Sequence, residues 1–290
     1  MAHQERKKIM KTWKKIILGV SLISLFLGGG LVAWGYSQGG LTDLQNQTKS
    51  EQDYVKKEVK DFNKIDIKSS SYNVLIKNGD VDKATLSYYQ KTKNPIDTSV
   101  KDGQLTINDN NSELDSTSNK HINFFGLKDL VRLSTLNKEV RNKTIVITLP
   151  KKQTIDFLKV DLATGNLDLS NSTIKQADIN LNVGDLTFTK MIVSNLKANL
   201  DVGSVDSDHT LFTNSDLSIA MGDYSGDNLI FNGHNKLDVT SGDIEIALKD
   251  YTLNVQADSH SGEVDITNNL KISKDNTLTI TSDLGDITVE

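Results

Sequence analysis

The chain has 290 residues and a formal net charge of −5, which results from 33 Lys and Arg against 38 Asp and Glu. This balance excludes the global basic footprint of a nucleic-acid-binding protein, and we predict no nucleic-acid partner. The absence of cysteine excludes disulfides, thiolate metal sites, a cysteine nucleophile and lipid attachment through cysteine. The charge is nevertheless uneven, because residues 158–290 carry 8 bases and 21 acids.

The N-terminal region has the pattern of a membrane anchor. Residues 16–36 are apolar and uncharged, and a basic tail at residues 1–15 precedes them. As a helix with a rise of about 1.5 Å per residue, this run spans about 30 Å, the thickness of the hydrocarbon core of a bilayer. The positive-inside rule then predicts a single-pass protein of the cell membrane, with a cytoplasmic N-terminus and an extracytoplasmic C-terminal domain. A cleaved signal peptide and a buried soluble helix are the alternatives.

The middle of the chain combines short strands with one insertion. Residues 37–61 are polar and predict a juxtamembrane spacer that is helical near its end. Apolar and polar residues then alternate across 62–150, with turn residues between the runs, which predicts an N-terminal β-strand region. The alternation stops at 108–143, which we interpret as an insertion.

Within the insertion, large apolar residues recur at helical spacing and predict a short amphipathic helix over 124–136. Its apolar face has two interpretations: it covers the open end of a stack of strands, or it contacts a membrane or a partner protein. A misread strand is the third alternative. The residues that carry the hypothesis of a cap or partner contact are Phe124, Phe125, Leu127, Leu130 and Leu133.

From residue 151 onward, an internal repeat dominates the sequence. Each unit contains a glycine, then a small polar or acidic residue, then an aliphatic or aromatic residue, as in Gly184-Asp185-Leu186. We predict structural turns at these glycines, because glycine adopts φ > 0 without a Cβ clash and the following acid can bond the backbone of its own turn. Successive glycines are 19, 19, 19, 20, 20 and 23 residues apart. The repeat glycines are Gly165, Gly184, Gly203, Gly222, Gly242, Gly262 and Gly285.

One such unit cannot enclose its own apolar stripe, so successive units must stack and share a core. In the unit around Gly184, Ile179 and Leu181 alternate with polar residues before the turn, and Phe188 follows it. The period is too short for a propeller blade, and the units lack the helical stretches of a leucine-rich repeat. We therefore predict an all-β protein, a β-solenoid-like stack over 151–290 that is preceded by one transmembrane helix and carries one short helical insertion.

The repeats and the strands before them resemble the bacterial DUF4097 family of β-strand repeat proteins, whose members are often described as candidate adhesins. The resemblance covers residues 61–290. It implies a β-solenoid-like, usually extracytoplasmic fold and, in some Gram-positive members, a link to envelope-stress operons. It implies no catalytic residues. The segments that carry it, besides the repeats, are FNKIDIKSSSYNVLIKNGD, DGQLTI and ITLPKK.

The many acids of the repeats have two interpretations. Stacked carboxylates and carbonyls can supply the six to eight oxygen ligands of calcium, but the nine-residue spacing of calcium-binding β-rolls is absent. The other interpretation is that the acids are solvated turn and edge residues that keep the stack soluble. We favour solubility and predict no metal, no cofactor and no catalytic residue.

Together these features predict a non-enzymatic, membrane-anchored extracytoplasmic protein that presents a binding or structural surface at the cell envelope, as an adhesin does. Its predicted partners are the membrane, through one N-terminal span, and an envelope protein or a surface glycan. An accessory role in envelope-stress signalling is the alternative, and an enzyme that acts on wall polysaccharide is a remote one.

Overall fold

The computed structural model describes residues 52–91, 95–109 and 143–290, and these residues are all-β. They form 25 strands and no helix. Accordingly, no helix of sufficient length and apolarity to cross a membrane is found within these three ranges.

The described residues all lie in one compact unit, Gln52–Glu290. All strands belong to this unit. The predicted basic tail 1–15, membrane span 16–36 and helix 124–136 lie outside the described residues, and they stay predictions.

The strands form a ten-stranded sheet and a fifteen-stranded sheet, which together give the solenoid three faces. The first face is the ten-stranded sheet, with β2 (Lys64–Ser69), β5 (Asp97–Lys101), β6 (Gln104–Asn108), β9 (Phe157–Leu162), β12 (Ala177–Val183), β15 (Leu196–Val202), β18 (Asp216–Met221), β20 (His234–Ser241), β22 (Asn254–Ser261) and β24 (Thr277–Leu284). The second face contains β1 (Gln52–Glu58), β3 (Asn73–Gly79), β4 (Thr85–Lys91), β7 (Thr144–Pro150), β10 (Leu167–Ser170), β13 (Leu186–Thr189), β16 (Val205–Asp208), the start of β19 (Tyr224–Asn232), β21 (Ile244–Leu248), β23 (Val264–Ile266) and β25 (Ile287–Val289). The third face contains β8 (Thr154–Ile155), β11 (Thr173–Ile174), β14 (Ile192–Ser194), β17 (Leu211–Thr213) and the end of β19.

Consecutive strands pass from the first face to the second and third, and each coil stacks in parallel register on the next. Leu186 therefore lies between Leu167 and Val205, its equivalents 19 residues before and after. Side chains that point inward from the three faces fill one shared core, in which Leu186 and Phe188 are fully buried. The ring of Phe188 packs edge-on against Phe212, with 5.3 Å between centroids. The predicted stack of strands with a shared core is thus the observed fold, because each coil covers the apolar side chains of its neighbours.

At the N-terminal end, the spatial order departs from the sequence order. The pair β2–β3 lies between the later pair β6–β7 and the regular coils, since β2 contacts both β6 and β9 and β3 contacts both β7 and β10. The antiparallel strands β5 and β4 then cover the outer edges of β6 and β7, and β1 pairs with β4. The strand region predicted for 62–150 and the solenoid predicted for 151–290 therefore share continuous sheets.

The C-terminal end shows the same interleaving. The last coil, β24–β25, lies between β20–β21 and β22–β23, although β22–β23 precedes it in the sequence. The inward residues give the physical reason: Leu278 and Ile280 of β24 are buried, whereas Val255 and Ala257 of β22 are only partly so. The strand with the larger apolar side chains occupies the interior position, and the weaker one forms the end of the stack.

One prediction is wrong. The end of the segment 37–61 was expected to be helical, but residues 52–58 form strand β1, which pairs antiparallel with β4 along its whole length. Backbone pairing with an existing sheet edge satisfies every second amide of this polar segment, so it outweighs helix propensity here.

Candidate functional site

The predicted repeat glycines lie at the corner where the chain turns from the first face to the second. Gly165, Gly184, Gly203, Gly222, Gly242 and Gly285 have φ between 141° and 149°. At Gly203, a Cβ would lie 2.0 Å from the carbonyl oxygen of Gly184 in the preceding coil. Both the backbone conformation and this close approach therefore require glycine. Gly262, in the end coil, lacks the positive φ, although a Cβ there would meet Gly285 in the same way.

The residue after each glycine bonds the neighbouring coil, not the backbone of its own turn as the sequence analysis expected. Asp185 Oδ1 accepts a hydrogen bond from the Ser204 backbone N–H at 3.1 Å, and Asp223 Oδ1 accepts one from the Asp243 N–H at 2.9 Å. The same contact recurs along the corner and ends at Glu263, whose N–H donates to Asp286 Oδ1. These corner acids therefore connect neighbouring coils by hydrogen bonds, which is a structural role beyond solubility.

On the outer surface of the first face, acids and lysines alternate from strand to strand. Asp178 pairs with Lys159 on one side and Lys197 on the other, and each of these is flanked in turn by another aspartate. Opposite charges directly across from each other stabilise a sheet by about 0.2–1 kcal/mol per pair. We name this series the lysine–aspartate column; its members in spatial order are Asp66, Lys159, Asp178, Lys197, Asp216 and Lys236.

On the outer surface of the second face, acids alternate with hydroxyl residues instead. Thr187 lies between Asp168 and Asp206, and Ser225 lies between Asp206 and Glu245. In the described strands of this face from β10 onward, no outward position holds Lys or Arg. We name this series the hydroxyl–carboxylate column; its members in spatial order are Asp168, Thr187, Asp206, Ser225, Glu245, Thr288 and Asp265.

Asp168 begins the hydroxyl–carboxylate column and is its most perturbed member. The residue is only 9% exposed, and its Oδ1 atom has no hydrogen-bond partner. Burial raises the pKa of this carboxyl to about 6, and the positive charge of Lys77 offsets part of that rise. This oxygen is itself buried, so its missing partner is a cost to the folded state and not a contact point on the surface.

Both columns could have been found in the sequence, and neither was. Lys159, Asp178, Lys197 and Asp216 are spaced 19 residues apart, and so are Asp168 and its equivalents in the next three coils. In the sequence, this period identified only the glycines, and the strand acids were predicted to be solvated. The missing step was to assign each strand of the repeat to a face.

The described residues contain no group of three or more His, Asp or Glu that could hold a metal ion. In the hydroxyl–carboxylate column, neighbouring carboxylates are two strands apart, about 10 Å at the usual strand spacing. The candidate cap residues Phe124, Phe125, Leu127, Leu130 and Leu133 lie outside the described ranges, so their contacts stay a prediction.

The chain is similar at low identity to several solved structures. A candidate cell adhesion protein from Clostridium sporogenes shares 17% identity over 82% of this chain and 99% of the other, with a TM-score of 0.37. A candidate adhesin from Bacteroides fragilis shares 15% identity over 83% and 98% of the two chains, with a TM-score of 0.38. A candidate lipid binding protein from Parabacteroides distasonis shares 13% identity over 82% and 97%, with a TM-score of 0.37.

Among curated proteins, no sequence matches this chain. The profile of the Toastrack DUF4097 family matches residues 62–290. That range contains the glycine corner, both outward columns and nearly all of the strands. Because the match covers well over half of the chain, the protein belongs to the Toastrack DUF4097 family.

Proposed function

We propose that the protein is a non-enzymatic binding module, adhesin-like in its role, whose second face contacts an extended ligand that carries amino groups at the cell envelope, such as a surface glycan. The observation that carries the proposal is the hydroxyl–carboxylate column, because the outward positions of the described strands from β10 onward hold acids and hydroxyls but no Lys or Arg. The carboxylates bind ammonium groups, and the hydroxyls between them donate and accept hydrogen bonds.

The column favours a long ligand over a small one. Its carboxylates recur at about 10 Å along a flat sheet, so a polymer with regularly spaced amino groups can contact several coils at once. Each exposed ion pair contributes little by itself, about 0–1 kcal/mol. Repeated contacts along one rigid surface add up, because the second and later contacts form at a high effective concentration. The exposed acids of the column are Glu245 and Asp265, whereas Asp168 at its other end is buried.

We also propose that residues 16–36 hold the protein in the membrane and that the solenoid lies outside the cell. The basic cluster before an uncharged span supports this orientation. Protease added to intact cells should then remove the solenoid and leave the N-terminal tail. A solenoid that is protected until the cells are lysed would contradict this topology.

Binding by the second face is tested with one substitution on each face of the same coil. Ser225→Lys places a cation in the hydroxyl–carboxylate column, between Asp206 and Glu245. Ser218→Lys adds the same charge to the first face, between Asn199 and Asp238. The full chain in nanodiscs of neutral phosphatidylcholine is titrated with a glucosamine oligosaccharide and with its N-acetylated counterpart.

We expect wild type and Ser218→Lys to bind the amino sugar with similar affinity, and Ser225→Lys to bind it at least tenfold more weakly. The acetylated sugar, which has no charge, should bind none of the three measurably. Equal loss of binding in both lysine variants would mean that overall charge is responsible, and the second face would then not be the binding surface.

A further inference from the structure

The third face has an apolar groove on a solenoid whose outer surface is otherwise mostly polar. Ile192, Leu211 and Ile230 point outward in three neighbouring strands and pair with one another in register. Ile192 is 48% exposed, and the other two are half-buried. They form the floor of an open cleft of about 160 Å³, and Lys190, His209, Asn228 and Lys249 lie along its margin.

The coil before the groove shows what this side of the solenoid requires for folding alone. There the outward position is Thr173, which pairs with Ile192. Asn171 lies at a second corner, where the chain turns from the second face to the third. Threonine is a common outward residue of strands, so an aliphatic side chain is not needed for the sheet. The next two coils replace the Asn and Thr with Lys190 and Ile192, and then with His209 and Leu211.

The residues at the corner between the second and third faces give a second, independent sign of function. Asn171, Lys190, His209 and Asn228 all have left-handed backbone conformations, with φ between 49° and 55°. Asparagine adopts this conformation readily, whereas lysine does so at a cost. Lys190 is therefore present at the groove despite its backbone preference. A residue held in an unfavourable conformation where a better one is used next to it suggests a role outside folding.

The groove combines its apolar floor with two lysines at its margin. Of the eight lysines that follow residue 158, Lys159, Lys175 and Lys236 form ion pairs with Asp161, Asp156 and Asp238. Lys190 and Lys249, like Lys197, Lys271 and Lys274, form no ion pair with any residue that the structure describes. The His209 ring forms a hydrogen bond with the Asp208 carboxylate, with 2.7 Å between Nδ1 and Oδ1.

We propose that this groove binds an amphipathic anion, with its alkyl chain along Ile192, Leu211 and Ile230 and its phosphate or carboxylate between the ammonium groups of Lys190 and Lys249. The apolar stripe crosses three strands, about 10 Å at the usual spacing, which suits a single alkyl chain. Desolvation of the chain supplies the non-specific attraction, and the lysines select the sign of the head group. The ligand is a diffusible amphiphile, because the stripe ends after three strands and accommodates one short chain.

The test uses the absence of native cysteine to attach one fluorescent probe at a chosen site. An environment-sensitive dye at Thr173→Cys reports on the groove, and the same dye at Ser225→Cys reports on the second face. The full chain is held in nanodiscs of neutral phosphatidylcholine and titrated with octyl phosphate, with octyltrimethylammonium and with octanol. The test variant, Lys190→Asn with Ile192→Thr, gives the groove the residues of the preceding coil.

We expect octyl phosphate to change the groove probe saturably, and the second-face probe not at all. The uncharged and cationic octyl compounds should bind at least tenfold more weakly. The double variant should lose the response by at least tenfold while its melting temperature stays equal or rises, since it adopts residues that this corner already accommodates. A loss of binding together with a loss of folding is resolved by Lys249→Gln, which lies outside the left-handed corner series and should lower affinity alone.

A further arm tests the source of the ligand. Nanodiscs that contain phosphatidylglycerol, with no octyl phosphate added, should leave the groove probe unchanged, and a change would contradict a diffusible ligand in favour of a bilayer lipid. A response that is equal for the cation and the anion, or that survives the double variant, would overturn the proposal.

Discussion

The first and second faces are formed by the same coils, yet their outward columns are opposite in electrostatic character. In the lysine–aspartate column of the first face each aspartate lies across from a lysine, as Asp178 does between Lys159 and Lys197. In the hydroxyl–carboxylate column of the second face each acid lies across from a hydroxyl, as Asp206 does between Thr187 and Ser225. The inward residues of both faces are equally apolar and buried, so the core does not require this difference.

The comparison teaches that the solenoid can balance charge within a face and does so on only one of them. A lysine–aspartate column fixes the register of the stack, because a shift by one coil would place like charges opposite each other. The hydroxyl–carboxylate column has no lysine across from its acids and lacks that attraction. We therefore assign register to the first face and ligand contact to the second.

The largest expected effect comes from breaking the corner that both faces share. Gly184→Val and Gly242→Val should each lower the free energy of unfolding by about 3 kcal/mol or more, since valine cannot adopt the native φ without strain and its Cβ would overlap a carbonyl oxygen. Urea midpoints measure the loss. Gly103→Asn is the control, because Gly103 has φ 74° and more open surroundings, and asparagine should cost less than about 1 kcal/mol there. Valine variants with wild-type midpoints would show that the two faces do not depend on this corner.

Removal of a carboxylate from a column has the next largest effect on stability. We expect the substitution of Asp168 to stabilise the protein and that of Asp178, on the first face, to destabilise it. The folded pKa of Asp168, about 6, lies above the ordinary value of 3.8, so the native state binds the proton more tightly than the unfolded state does. Stability should therefore rise as the pH falls from about 7 to about 4, and ionisation at neutral pH should cost about 2–3 kcal/mol. Asp168→Asn should remove much of this cost, raise the melting temperature at pH 7 and flatten its dependence on pH.

The matched variant on the first face is Asp178→Asn, which removes an acid from between Lys159 and Lys197. It should lower stability at pH 7 by about 0.5–1 kcal/mol, because two attractive cross-strand pairs are lost. Thermal melts of both variants from pH 4 to pH 8 give the comparison. If both asparagine variants shifted stability in the same direction at pH 7, the two columns would not differ in the way that their composition indicates.

Substitutions that remove or add a lysine test the difference between the two faces through smaller changes in stability. Lys197→Glu places an acid between Asp178 and Asp216, and should cost about 1–2 kcal/mol through the loss of two attractions and the gain of two repulsions. Ser225→Lys should instead stabilise the second face by about 0.5 kcal/mol, since it inserts a cation between two acids. Added salt should reduce both effects, because these side chains are exposed to solvent. Salt-independent values would point to packing and not to charge.

The repeat made the fold predictable where local chemistry decides it. A glycine every 19 or 20 residues required a corner, and the alternation of Ile179 and Leu181 identified the inward side chains, which are indeed buried. The hydrogen bond of Asp185 was not predictable in the same way. Its partner is the N–H of Ser204, 19 residues away, and this contact exists only once two coils are stacked.

The order of the coils at the two ends was also beyond the sequence pattern. Even spacing favours stacking in sequence order, but β24 lies inside β22 because Leu278 and Ile280 bury more apolar surface than Val255 and Ala257. That choice is a competition between two strands for one position, and the period of the repeat does not contain it. The candidate surfaces were missed for a related reason, since a column becomes visible only after each strand has been assigned to a face.

The smallest expected effect is that of calcium, and it tests the second face directly. A calcium ion needs six to eight oxygens at about 2.3–2.6 Å, whereas successive carboxylates of the hydroxyl–carboxylate column are about 10 Å apart. The corner acids are already acceptors for backbone N–H groups, as Asp223 is for Asp243 at 2.9 Å. Chelator and millimolar calcium should therefore leave the melting temperature and the β-sheet circular dichroism unchanged. If calcium raised the melting temperature of wild type and of Ser218→Lys but not of Ser225→Lys, the second face would be a cation-dependent surface, and the difference between the faces would be one of metal binding.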